Sequence, residues 1–508
     1  MELELERDTI KGYRTVAEVT LCQEETLESI VPDACPDILR IVDVYGQATL
    51  SGKQAREDLA VVNGMVRVAI LYQPEGGSGL RRMEMGLPFT CQAEAPGLTD
   101  QGAVVACPRL RGAEARALNP RKVLLRVDLA VDVTACQPEE QALCSGVADP
   151  QEHGICQQKW EGEDYQLCTV QEKPFTFTDQ VRLQSNSGEA PQLLASRVQP
   201  QCNESKVIGT KLIFKGAVEL DLLLQEPGGG LTAGHETLPF SQIVEVAGAG
   251  EGADSQVLVE VSGYRCEILP GDGRDLEVTV ELLGQALVRC HRPVTLLQDL
   301  YSTACLTDVE SRPRELCRLL EQSVRPQVVR ELVESGEMIR SVVDSRLALG
   351  QVRQSREGGE LVLTADVALT VLYLDENELP QCLQKSLPVS CRLECPEGGR
   401  CTCFCLSPGE VFATPAAGGV EARFTVEFHC LTTARQTVPA VESAQLGEAR
   451  TATAGERPSV VLRLATPGEG LWEIAKAYGT TTEQILQANE LEEGDLPTGR
   501  MLLIPSVR

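Results

Sequence analysis

A repeat of about 150 residues constrains this chain more than any other feature of its sequence. Residues 61–72 read Val-Val-Asn-Gly-Met-Val-Arg-Val-Ala-Ile-Leu-Tyr and lead to Leu87-Pro-Phe89. Residues 212–224 lead in the same way to Leu238-Pro-Phe240, and residues 361–373 to Leu387-Pro-Val389. The three Leu-Pro anchors fall at 87, 238 and 387, so one supersecondary unit recurs three times. Each unit ends on a second apolar stretch, at 123–136, 276–290 and 420–430, and each stretch finishes on a cysteine: Cys136, Cys290 and Cys430.

Both stretches alternate apolar and polar residues, the pattern of strands with one buried and one solvated face. Turn residues separate them at 74–79, 227–230 and 375–377. The fold class expected is therefore mainly β: three repeated antiparallel β domains over residues 15–136, 165–290 and 305–434. A sandwich or open barrel suits such units. Aromatics are only 4% of the chain, so the cores must be built from Val, Leu, Ile and Ala.

The segments between the repeats read differently. Residues 137–164 are acidic and punctuated, as in a linker or long surface loop. Residues 314–322 and 328–334 carry apolar side chains at three- and four-residue spacing, which predicts short helices. Residues 435–460, small and polar towards their end, read as a flexible linker.

Residues 461–508 form a separate unit. Leu471, Ile474, Ala475 and Tyr478 share one helical face, and Gly479 supplies the left-handed residue that ends it. The Thr-x-x-Glu pattern from Thr480 to Glu483 predicts a capped second helix bearing Ile485 and Leu486. Residues 501–505 close the unit as a strand, giving the order βααβ.

This unit resembles the LysM family through Pro467-Gly-Glu-Gly-Leu-Trp472, Ile474-Ala475, Tyr478-Gly-Thr480, Ala488-Asn489 and Leu502-Leu-Ile-Pro505. The resemblance implies a small α+β fold that binds N-acetylglucosamine glycans such as peptidoglycan in a groove between two loops. Carried onto this sequence, the groove is Gly468, Glu469, Gly470 and Leu471 on one side and Asn489, Glu490, Leu491 and Leu496 on the other. The family commonly has Asp-Thr where this chain has Glu469-Gly470, so one sugar-facing hydroxyl is missing and a protein ligand becomes the stronger expectation. Trp472 is expected to pack in the core rather than stack on sugar.

The upstream repeats resemble the SPOCS domain of clostridial spore-coat proteins. The residues that carry this are 31–42 (Val-Pro-Asp-Ala-Cys-Pro-Asp-Ile-Leu-Arg-Ile-Val), the Leu-Pro anchors, and Asp299-Leu-Tyr-Ser-Thr303. With a C-terminal LysM unit the arrangement is similar to that of coat morphogenetic proteins. It implies a partner such as the spore-coat morphogenetic ATPase or another coat protein, with peptidoglycan as the other candidate ligand.

A net charge of −28 and the lack of any long Lys/Arg cluster argue against nucleic acid and against an anionic membrane surface. No run of about 18 apolar residues predicts a membrane span. The acidic start, Met-Glu-Leu-Glu-Leu-Glu, is unlike a secretory signal, so the expected location is the mother-cell cytoplasm at the forespore surface.

Catalytic and cofactor motifs are not evident. His153, His235, His291 and His429 stand singly, no phosphate-binding GxxxxGK[ST] occurs, and the glycines at 228–230 read as a turn. A non-enzymatic scaffold without cofactors is expected, with a glycan-binding wall protein as the alternative. The chain has 20 cysteines, most read as reduced, small hydrophobes. Cys391, Cys395, Cys401, Cys403 and Cys405 are close enough in sequence to raise tetrahedral zinc, although strand thiols without metal are the preferred reading.

Overall fold

The computed structural model describes residues 1–184, 189–450, 460–466, 469–492, 499 and 501–505. Strand makes up 77% of it and helix 3%, so the fold is mainly β, as the alternation predicts.

The first repeat runs β1 (Leu5–Ile30), β2 (Ile38–Arg56), β3 (Leu59–Pro74), β4 (Arg81–Glu94), β5 (Ala103–Asn119) and β6 (Lys122–Val147). The second runs β7 (Ile155–Arg182), β8 (Gln192–Ile208), β9 (Lys211–Gln225), β10 (Leu231–Glu245), β11 (Asp254–Ile268) and β12 (Asp275–Ser302). The third runs β13 (Cys305–Glu334), β14 (Ile339–Glu357), β15 (Glu360–Asp375), β16 (Pro380–Glu394), β17 (Arg400–Leu406), β18 (Phe412–Ala416) and β19 (Gly419–Ala449).

Each repeat has the same plan. A three-stranded antiparallel sheet (β2-β3-β4, β10-β9-β8 or β14-β15-β16) packs on a long ladder formed by the first and last strands of the repeat. Alternation explains the packing. On β6, Val123, Leu125, Val127, Leu129, Val131 and Val133 all point inward and are essentially unexposed. Leu276, Val278, Val280 and Leu282 of β12 do the same, as do Val420, Ala422, Phe424, Val426 and Phe428 of β19. Burying each such side chain contributes about 1.5–3 kcal/mol for the larger residues. The Leu-Pro anchors place Leu87, Phe89, Leu238 and Phe240 in these cores.

The long strands outrun the sandwiches, and this corrects three expectations. Residues 137–164 are not a loop: they are the end of β6, a turn with Asp149 and Gly154 at positive φ, and the start of β7. Residues 314–322 and 328–334 are not helical but lie within β13, paired in register with β19. Pro313 and Pro326 lie outside both segments and forbid neither helix; what overrides the helical spacing is the ladder with β19, and β13 is an edge strand, where proline is tolerated. The linker expected at 435–460 is strand up to Ala449; residues 451–459 lie outside the described residues.

The outer halves of the three ladders come together. Leu143, Val294, Leu296, Leu316, Val438 and Ala440 form one cluster, and Cys144, Val147, Leu297, Leu300, Val441 and Ala444 belong to a second. At the opposite end the small sheets converge. Leu71, Leu223 and Leu372 occupy equivalent positions opposite Asp43, Ala195 and Asp344, and all three leucines share one buried cluster. Beside it Arg346 makes a bidentate pair with Asp43 at 2.6 and 2.8 Å and lies 4.0 Å over the Tyr45 ring. The repeats are thus mutually packed rather than strung out. In the second repeat a disulfide joins Cys168 to Cys290, and the other 18 cysteines are free.

Candidate functional site

The C-terminal unit is built from β20 (Val460–Leu464), α1 (Leu471–Tyr478), α2 (Thr482–Asn489) and β21 (Met501–Pro505), in the βααβ order read from the sequence. β20 and β21 pair antiparallel, and Ile474, Ala475, Ile485, Leu502 and Ile504 fill the space between sheet and helices. Gly479 ends α1 in the left-handed region at φ 65°, which a Cβ would strain. The cap of α2 is Thr481, one residue later than the Thr480 pattern predicts: its hydroxyl accepts the Gln484 N–H at 3.2 Å.

The unit does not stand free. Tyr301, near the end of β12, is fully buried within this small core. A register shift between Leu297 and Asp299 re-aims the last residues of that strand. The Tyr301 hydroxyl donates to the Thr480 carbonyl at 2.7 Å, and its ring meets Trp472 edge-on at 4.9 Å. Burial raises the Tyr301 phenol above its ordinary pKa. Asp299 receives the Trp472 indole N–H at 2.8 Å and the Lys476 ammonium at 2.6 and 2.7 Å. Trp472 and Lys476 are four residues apart and so lie on one face of α1. Arg450 reaches from the end of the third repeat to the Lys476 carbonyl at 3.4 Å. Trp472 therefore packs against the module's core, as expected, and is half-buried where that core meets Tyr301 and Asp299 of the second repeat.

The groove residues divide into two groups. Gly468 and Leu496 lie outside the described residues. Glu469 is held by Arg463 at 2.5 Å and by the Thr466 hydroxyl at 3.0 Å. Gly470 is the uncapped start of α1, and Leu471 packs against the core. Asn489 donates to the carbonyls of Ile485 and Leu503 and accepts the Leu503 N–H, each at 2.7 Å, so its amide ties α2 to β21. Glu490 is exposed at φ 52°, and Leu491 is half-buried against the core.

The cysteines read as zinc candidates also divide. Cys391, Cys401, Cys403 and Cys405 converge in the third repeat's core together with Cys430, which the reading of the candidates omits. Cys395 belongs to the same core, but its thiol accepts from Arg356 at 3.6 Å. The Cys430 thiol lies 3.7 Å from Cys403. Hydrogen bonds from Cys405 and Cys430 hold the Cys403 thiol well below the usual range, and Cys430 is correspondingly raised as the donor to its neighbours. Among the described residues no group of three or more His, Cys, Asp or Glu side chains is arranged to hold a metal ion. No helix among them is long and apolar enough to cross a membrane.

Comparison with known families agrees with this architecture. Residues 466–505 match the model described as LysM domain. Residues 190–269, which hold β8 to β11, match the model described as SipL, SPOCS domain. No curated protein matches the chain. The chain thus joins a SPOCS domain to a LysM domain, a combination that fits a sporulation-coat-associated protein with a peptidoglycan-binding type of module.

Proposed function

We propose, from the premise that this chain carries a SipL-type SPOCS domain and a LysM domain, that it is a non-enzymatic scaffold of spore-coat assembly. It works in the mother-cell cytoplasm at the forespore surface and engages a coat protein, the morphogenetic ATPase first among candidates, through the LysM groove. One observation carries the choice of a protein over a sugar. Glu469 and Asn489, two of the three polar side chains of the described groove, are occupied by the module's own groups, and Gly470 offers none. Sugar recognition would rest on backbone groups, whereas Leu471, Glu490 and Leu491 suit a protein surface. The second reading, peptidoglycan binding, is favoured by the LysM match itself.

The test compares the intact chain with Glu490→Arg. Truncating the module is the poorer experiment, because it uncovers Tyr301. Capture of the coat ATPase from sporulating-cell lysate by the intact chain, lost in the variant, supports the scaffold. Co-sedimentation of the intact chain with purified peptidoglycan, with no ATPase captured, overturns it in favour of the wall reading.

A further inference from the structure

Cys403 of β17 and Cys430 of β19 face each other directly across an antiparallel ladder. Opposed residues in such a ladder have Cα atoms about 4.5–5.5 Å apart, inside the window that a disulfide requires. Their sulphurs are already at 3.7 Å. Cys430 is buried at 3% exposure, while Cys403 is half-buried.

We propose that Cys403 and Cys430 form an oxidation site for a small hydroperoxide, with Cys403 as the attacking sulphur and Cys430 as the resolving one. The assignment of roles follows from the geometry. Cys403 is the more accessible of the two and receives hydrogen bonds from Cys405 and Cys430, which favour its thiolate, the form that reacts. Cys430 lies behind it and carries the proton that the second step needs.

The chemistry balances with hydrogen peroxide as oxidant. The Cys403 thiolate attacks one peroxide oxygen, the O–O bond breaks, and hydroxide leaves and takes up a proton to become water. Cys403 is then a sulfenic acid. The Cys430 sulphur attacks that sulphur, an S–S bond forms, and the sulfenic hydroxyl departs with the Cys430 proton as a second water. Two thiols lose two electrons in all, and one peroxide gains them. The product ties β17, a short edge strand of seven residues, to the long strand β19. Cys391 and Cys401 also hydrogen-bond to Cys430 and are the competing partners, so the identity of the linked pair is the decisive readout.

The experiment treats the intact chain with one equivalent of hydrogen peroxide, alkylates the remaining thiols and maps the disulfides by mass spectrometry. The expected result is a fall in free thiols from 18 by two per chain, with a Cys403–Cys430 linkage. Cys430→Ala is expected to stop at a sulfenic acid on Cys403 that dimedone traps. The proposal is overturned if both residues remain alkylatable while other cysteines oxidise, or if the new linkage joins a different pair such as Cys391 and Cys401. The map of the unaltered chain decides this even where Cys430→Ala fails to fold.

Discussion

Replacing Asp299 by alanine should weaken the docking of the LysM unit on the second repeat while Tyr301 still holds part of the seat. The carboxylate accepts one indole N–H and an ammonium group from α1. Losing a hydrogen bond to a charged acceptor costs about 1.5–3 kcal/mol when the donor is left without a partner. The Asp299–Lys476 pair is 25% and 39% exposed, so solvent screening limits its share to about 0.5–1 kcal/mol. The two are coupled through one carboxylate, which places the combined loss at about 2–3 kcal/mol. At 1.4 kcal/mol per factor of ten, the docking equilibrium shifts by roughly 30- to 150-fold. Trp472 reports on this directly, since the chain has only two tryptophans and Trp160 can be replaced by phenylalanine. In that background Asp299→Ala should red-shift the Trp472 emission and speed hydrogen exchange in α1, with far-ultraviolet dichroism unchanged. Asp299→Asn, which still accepts the indole N–H, should move both signals less. Unchanged emission and exchange in Asp299→Ala would refute the claim that this carboxylate holds the module.

Three further outcomes are expected. Arg346→Leu leaves the fully buried Asp43 carboxylate unpaired between the first and third repeats and should cost about 3–5 kcal/mol in urea denaturation, with Asp43→Leu/Arg346→Leu recovering much of it. Closing the Cys403–Cys430 loop should protect the third repeat by about 3–4 kcal/mol on the chain-entropy account, read as a higher denaturation midpoint in oxidised than in reduced protein. Burial, helped by the neighbouring Asp132 charge and opposed by a Cys107 hydrogen bond and Arg109, raises the Glu260 carboxyl to about 8. Between the unfolded value near 4.5 and that folded value the native chain holds a proton the unfolded chain has lost, so stability should fall as pH rises from 5 to 8, by at most about 1.4 kcal/mol per unit. Glu260→Gln should flatten that slope in a urea series across pH.

Much of the fold was legible because its signals are local. The 150-residue period, the alternation on β6, β12 and β19, and the turns near 76, 229 and 377 all follow from side-chain pattern and turn chemistry. The errors arose where a local pattern competed with a partner strand far away. Leu316, Leu319 and Leu320 mimic a helical face, yet β19 offers an antiparallel ladder along the whole segment. The composition of 435–449 suits a linker until β13 pairs with it. Cys430 was separable from the cysteine run only by its sequence distance, although its place at the end of the repeat's closing stretch, shared with Cys136 and Cys290, marked it as a ladder residue. The motif Asp299-Leu-Tyr-Ser-Thr303 stood out in the sequence, but its partner did not, since Asp299 lies 173 residues from Trp472.

Three similar repeats offer three similar ladder ends, yet the LysM unit sits on one, and side chains explain why. Leu143, Leu296 and Ala440 occupy one cluster from the three ladders and so give a common origin. Three positions beyond it the second repeat has Asp299, where the first has Gly146 and the third Ser443. Five positions beyond, it has Tyr301 against Ala148 and Gln445. At those matched positions neither of the other ends has a carboxylate for Trp472 and Lys476, or a ring to complete the module's small core. Among the described residues of the module the fully buried hydrophobic side chains are Ala465, Ile474, Ala475, Ile485, Leu502 and Ile504, all aliphatic; Trp472 and Tyr478 pack only partly buried against them, and Tyr301 is the one fully buried ring in the cluster. Undocking therefore opens a tyrosine-sized gap in the LysM core as well as breaking a contact. A Tyr301→Ala chain should lose about 3–5 kcal/mol of docking and module stability together, whereas Tyr301→Phe, which keeps the ring and drops only the bond to Thr480, should lose about 1. Equal losses in the two variants, measured by Trp472 emission through a urea series, would mean that the hydroxyl and not the ring holds the seat.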